Sequence, residues 1–203
     1  MKIKICGMKF PENILEISKL EPNYMGFIFY EKSPRFVENL DVEIIKKIPS
    51  AIQKVAVFVN EELEKVVGIA EEYAFDLVQL HGNESPEYCE ILKQKGIRII
   101  KAFSVDEHFD FGQTENYMNS CQFYLFDTKT DHYGGSGKSF NWDILSKYDQ
   151  KKPFFLSGGI DLENIAEAMS LDSMNIEALD LNSKFEKEPG VKERLKILSA
   201  KWS

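Results

Sequence analysis

The sequence has no CxxC pair, and its three cysteines, Cys6, Cys89 and Cys121, form an odd, scattered set. That excludes a disulfide framework or a cysteine zinc site and makes a reducing cytoplasm the expected compartment. No apolar run approaches the roughly 20 residues that span a bilayer, and the apolar stretch after Met1 is far shorter than a signal peptide, so no membrane contact is expected. Positive charge is in deficit, with 25 Lys and Arg against 33 Asp and Glu. A general nucleic-acid binder needs a basic face to neutralise phosphates, so no nucleic-acid partner is expected. A small anion stays open, because a local pocket can be positive on an acidic protein. Histidine is scarce as well: His81, His108 and His132 have no metal-ligand partners at useful spacing, and no metal is expected. There is no internal repeat and no break in composition, which points to one domain over residues 1–203.

What the sequence does have is alternation of strand and helix from start to finish. Short apolar runs read as strands at about 2–7, 24–29, 55–59, 77–81, 98–104, 123–128, 154–157 and 177–181. Helical stripes or caps follow most of them: Ile14, Leu15, Ile17 and Leu20; a helix near 41–48; Leu63, Val66, Val67 and Ala70 behind an Asn60 N-cap; Pro86 behind a Ser85 cap; a helix near 142–148; Ile165 and Met169 behind an Asp161 cap. The last helix is predicted to carry Val191, Leu195, Leu198 and Trp202 on one face, while residues 105–119 hold only a weak helix. Strands this continuously β-branched and aromatic imply a sheet buried on both faces. The simplest α/β answer for 203 residues is a closed (β/α)8 TIM barrel; an open doubly wound sheet is the alternative.

The reactive residues fall at the downstream ends of these strands, where a parallel barrel gathers them on one face. Cys6 ends the first strand, with Gly7 allowing close approach to its thiol. Alternation puts Lys4 on the same face, where its charge is expected to lower the thiol pKa. A small buried cysteine is the plainer reading of a lone thiol. Asp127 ends the sixth strand between Phe126 and Thr128, so its carboxyl must be paired, hydrogen-bonded or protonated. A raised pKa would suit it to general acid work, and loop closure is the plainer reading. Ser33-Pro34 restrain the backbone before Arg35, whose fork suits a carboxylate unless it is only a surface arginine. Gly158 and Gly159 after strand seven, with Asn182 and Ser183 after strand eight, stand where barrels commonly cradle a phosphate. Gly134 to Ser139 imitate a P-loop, but the position needing the first glycine is His132; a lid over the site is a better use of that segment. His81 and Asp180 at their strand ends, and Lys4, are second-tier candidates.

In order along the chain, Lys4-Ile5-Cys6-Gly7-Met8, Gly26-Phe27-Ile28-Phe29 with Ser33-Pro34-Arg35, Val57-Phe58-Val59-Asn60, Gln79-Leu80-His81-Gly82, Asp127 with Gly134-Gly135-Ser136-Gly137, Ser157-Gly158-Gly159 and Pro189-Gly190-Val191-Lys192 resemble the phosphoribosylanthranilate isomerase family of tryptophan biosynthesis. The resemblance covers essentially the whole chain. It implies a (β/α)8 barrel catalysing an Amadori rearrangement of N-(5-phosphoribosyl)anthranilate to 1-(2-carboxyphenylamino)-1-deoxyribulose 5-phosphate, an aldose–ketose isomerisation of a small phosphorylated substrate. It further implies Cys6 as general base, Asp127 as general acid and Arg35 as the holder of the anthranilate carboxylate. Gly158, Gly159, Asn182 and Ser183 would form the phosphate site. No cofactor is implied, and monomer and homodimer fit equally. Asn182 and Lys184 stand where the family commonly has serine and glycine, so the resemblance is weakest at the phosphate contacts. Indole-3-glycerol-phosphate synthase is the nearest rival, but the first strand begins at about residue 2 and leaves no room for that enzyme's N-terminal extension. A silent sugar-phosphate-binding barrel is the rival of another class, and a catalytic thiol and carboxylate would serve it nothing. The matching isomerase of histidine biosynthesis resembles a twofold-repeated barrel with two aspartates, which the absence of a repeat and Cys6 disfavour.

Overall fold

A computed structural model of the chain describes residues 1–128, 142–171 and 173–201. The expected lid segment, with His132, and Trp202 lie outside the described residues. Eight parallel strands close into a barrel in sequential order: β1 (Lys2–Cys6), β2 (Tyr24–Ile28), β3 (Gln53–Phe58), β4 (Leu77–Leu80), β5 (Ile99–Val105), β6 (Phe123–Thr128), β7 (Phe154–Leu156) and β8 (Ile176–Leu181). Closure is made by β8 pairing with β1, with Lys4 opposite Asp180. The closed alternative, and not the open sheet, is therefore the architecture.

Alternation decides what each face of a strand contributes. Inward-facing Tyr24, Val55, Val57, Leu77, Ile100, Phe123, Leu125 and Phe155 fill the lower barrel with one apolar cluster that includes Cys6. The outward set, among them Ile5, Phe27, Phe58, Leu80, Phe126 and Leu156, packs beneath the surrounding helices. These are α1 (Pro11–Ser18), α2 (Val42–Lys46), α3 (Leu63–Glu72), α4 (Pro86–Gln94), α5 (Ile165–Met169) and α6 (Arg194–Lys201). Among the described residues the connections after β5 and β6 carry 3₁₀ turns, Phe111–Tyr117 and Trp142–Lys147, the second in place of the helix expected near 142–148. Asn164, not Asp161, holds the N-cap position of α5; Asp161 closes the turn before it, its carboxylate accepting from the N–H groups of Glu163 and Asn164 and its carbonyl from that of Ile165.

Two further local expectations are corrected. Asn60 does not cap α3, which starts after Glu62. Its backbone is left-handed (φ 51°), and its carboxamide oxygen accepts from the N–H of Asn83 at 2.6 Å, tying the loop after β3 to the loop after β4. A tertiary bond thus outcompetes the local cap. Val191 is not on the last helix. It belongs to a two-residue strand, β10 (Val191–Lys192), that pairs antiparallel with β9 (Glu186–Glu188). The helix starts later and buries Ile197 and Ala200, while Leu195 is 69% exposed. The hairpin took the first residue of the supposed stripe, so the true face is shifted by two positions. Accordingly, Ile197→Val should lower stability by about 1 kcal/mol, and Leu195→Val should stay within about 0.5 kcal/mol of the parent. Urea midpoints at constant m-value read both; equal losses would return Leu195 to the core.

Candidate active site

The downstream ends of the strands open into a cavity of about 810 Å³, counted out to its mouth. Cys6, Arg35, His81, Asp127, Gly158, Gly159, Asp180, Asn182 and Ser183 all line it, so the strand-end residues singled out from sequence meet in one place. Lys4 lies one step below Cys6 on the same face and is fully buried.

Room for the Cys6 thiol comes from the neighbouring strand. Gly26 is paired with Cys6 across β1 and β2, and a Cβ there would stand 2.8 Å from Sγ. A glycine inside a strand costs stability, and here the missing side chain is the space the sulfur occupies. Gly7 has φ +80°, and a Cβ on it would meet the Arg35 side chain at 2.6 Å and the Asn182 carboxamide oxygen at 2.8 Å. The expected lowering of the thiol pKa does not come about. Burial pushes the Cys6 thiol above its ordinary value; the ammonium groups of Lys4 and Lys192 pull it down, but they do not outweigh burial and the Asp180 charge. For Lys4 the balance runs the other way. Burial alone would lower it, but the facing Asp180 carboxylate and Cys6 sulfur hold the ammonium above its usual range.

From Lys4 a line of polar side chains crosses the barrel. Its Nζ donates to Asp180 Oδ1 at 3.0 Å and to Gln79 Oε1 at 2.7 Å. The Gln79 amide nitrogen is 2.9 Å from His81 Nδ1, and His81 Nε2 is 3.3 Å from Asp127 Oδ2. His81 therefore bonds a strand neighbour through Nδ1 and faces the carboxylate of β6 with Nε2.

Arg35 is buried, and its loop is tied to the second strand by the Val37 N–H bonding the Ile28 carbonyl and by its own N–H on Ser33 Oγ. Its Nε and Nη2 bond both oxygens of Glu186 at 2.7–3.1 Å, which leaves the Nη1 amino group outside that pair. Lys192 Nζ donates to Glu186 Oε1 at 2.6 Å and to the Asn182 carboxamide at 2.8 Å. Burial would raise the Glu186 carboxyl, but Arg35 and Lys192 together hold it below its ordinary value. Burial also pushes Lys192 down to about 8. Gly158 and Gly159 both have positive φ, 93° and 70°, a run that only glycine adopts freely, and their loop lies on the same cavity as Asn182, Ser183 and the exposed Lys184.

A thiol and a carboxylate facing one cavity, with a cationic fork on one wall and a glycine loop on another, are the parts a two-group proton transfer on an anionic substrate would use. The family model described as N-(5'-phosphoribosyl)anthranilate (PRA) isomerase matches residues 3–200. The chain belongs to that family. A curated PRA isomerase of Parabacteroides distasonis is 45% identical over 95% of this chain and 88% of its own length. The crystal structure of the Thermotoga maritima PRA isomerase superposes with a TM-score of 0.84 at 34% identity, over 100% of both chains. Another PRA isomerase, solved in complex with reduced 1-(o-carboxyphenylamino)-1-deoxyribulose 5-phosphate, gives 0.81 at 31% identity over 98% of this chain and 96% of its own.

Against the PRA isomerase pattern, four neighbours of the site escaped the search of strand ends: Gly26, Gln79, Glu186 and Lys192. Gln79 had a usable signal, an amide two residues before His81 on an otherwise apolar strand. Glu186 had none, because its partner Arg35 lies 151 residues away in sequence, and Lys192 takes its meaning from Glu186.

Proposed function

We propose that the chain catalyses the Amadori rearrangement of N-(5'-phosphoribosyl)anthranilate, with Asp127 as general acid and Cys6 as general base. Asp127 passes a proton to the furanose ring oxygen as the C1–O bond breaks, and the anthranilate nitrogen supplies the electron pair that forms the Schiff base. Cys6, as thiolate, removes the proton from C2; those electrons move to the nitrogen and give an enaminol, which tautomerises to the ketose. The substrate nitrogen is thus its own electron sink, and the chemistry calls for no cofactor. The Nη1 group of Arg35 is directed to the anthranilate carboxylate, and the loops of Gly158, Gly159, Asn182 and Ser183 to the phosphate, with Lys184 at the rim as a further cation. Three buried free thiols suit a cytoplasmic enzyme.

The observation that carries this reading is the convergence of Cys6, Asp127, Arg35 and the glycine loop on one cavity. Its test is loss of anthranilate-type fluorescence when the protein is added to N-(5'-phosphoribosyl)anthranilate generated in situ. Rapid loss is expected. No loss from a chain with an intact circular dichroism spectrum and a cooperative melt would overturn the assignment and favour a silent barrel.

A further inference from the structure

The polar line across the barrel has a direction, and the direction follows from one fixed charge. Lys4 is an ammonium with no lone pair, so whatever meets it at 2.7 Å must accept; the Gln79 amide therefore turns its oxygen to Lys4. The other end of that amide, an NH₂ with hydrogens only, is then set against His81 Nδ1 at 2.9 Å. Nδ1 must accept, so in the neutral ring the proton sits on Nε2, facing Asp127 Oδ2 at 3.3 Å. Lys4 and Gln79 are buried to 0% and 1% exposure, so no solvent stands ready to satisfy a flipped amide, which would set NH₂ against ammonium.

We infer that Gln79 is a positioning residue that locks His81 in its Nε2–H tautomer, so that the ring nitrogen nearest Asp127 cannot take the proton the acid is to transfer. This rests on the isomerase reading for its catalytic meaning and on geometry alone for the tautomer. With its proton on Nε2, 3.3 Å from Oδ2, the ring offers no lone pair there, and its N–H dipole favours the carboxylate left after transfer. In the opposite tautomer a bare Nε2 would accept the acid's proton through Oδ2–H, and the proton would be held by His81 instead of reaching the ring oxygen. The charge of Lys4, passed through one amide, keeps that competing acceptor closed.

The test uses the full chain labelled with ¹⁵N-histidine, with His108→Gln and His132→Gln present so that only His81 reports. The parent should show a pyridine-type Nδ1 and a pyrrole-type Nε2. Gln79→Met keeps the length and removes the donor, and should give a mixture of tautomers. It should also show kcat about 10- to 100-fold lower with KM within about twofold, since a wrong tautomer impairs proton transfer more than binding. Gln79→Glu still accepts from Lys4 but sets an oxygen against Nδ1, and should draw the proton onto that nitrogen with a similar loss of kcat. A pyrrole-type Nδ1 in the parent, or an unchanged tautomer or unchanged kcat in folded Gln79→Met, would overturn the inference. The parent spectrum needs neither turnover nor a stable variant, so an inactive parent with the Nε2–H tautomer would count against the isomerase reading alone.

Discussion

Asp127→Asn is expected to lower kcat by about 10²- to 10⁴-fold, the range a positioned acid contributes, while KM moves only a few-fold. Asparagine keeps the shape of the side chain and an oxygen that can still accept from His81 Nε2, so the barrel mouth holds together. What it cannot do is release a proton to the leaving ring oxygen. Asp127 is buried at the rim of the cavity, and its loss as an acid is not made good by solvent from that side. The fluorescence assay and a thermal melt on the same preparation separate the two possibilities. A variant that melts within a few degrees of the parent and keeps more than a tenth of its kcat would sink the acid assignment.

Cys6→Ser should cost about as much, roughly 10²- to 10⁴-fold in kcat, for a different reason. A serine hydroxyl fills the niche beside Gly26, but it is a weak base at its free pKa and has no adjacent base to activate it. The pH profile supplies a second readout. Burial raises the Cys6 thiol, so the thiolate that the proposed base step requires is the minor form at neutral pH and grows as pH rises. The parent's kcat/KM should therefore climb from pH 7 into the alkaline range. Lys192 loses its proton at about 8, and with it one of the charges pulling the thiol down, so the limb should be broader than a single titration. Asp180 and Lys4, the other charges at the thiol, stay as a pair below it. In Cys6→Ser the climb should vanish; an unchanged limb would assign it to some other group.

The fold was legible because each barrel strand repeats the same local message: a short apolar run, a polar exit, then a cap or a stripe. Cys6, His81, Asp127 and the Gly158–Gly159 pair were found by asking which exits carry residues that packing does not require. Failures came where a contact distant in sequence overrode a local signal. Asn60 looked like a cap and is held by Asn83 instead, and Val191 looked helical and pairs with Glu188. The sign of the Cys6 shift was missed because sequence shows a nearby lysine but not how much water the strand loses. Gln79 and Glu186 take their meaning from Lys4 and Arg35, partners on other strands and loops, and no spacing rule along the chain connects them.

The Lys4–Asp180 pair joins the first strand to the last, across a separation of 176 residues. Few contacts in a chain this size demand a longer loop closure, and its entropic cost must be met before the contact repays it. Until the eighth strand docks, Lys4 has an open flank where its carboxylate belongs, and burying it there would strand a charge. The proton-handling line from Lys4 to Asp127 can thus be completed only as the cylinder itself is completed. A nascent or partly folded chain would hold the thiol, the histidine and the acid without the charge balance that orients them, so chemical competence and topological closure arrive in the same step.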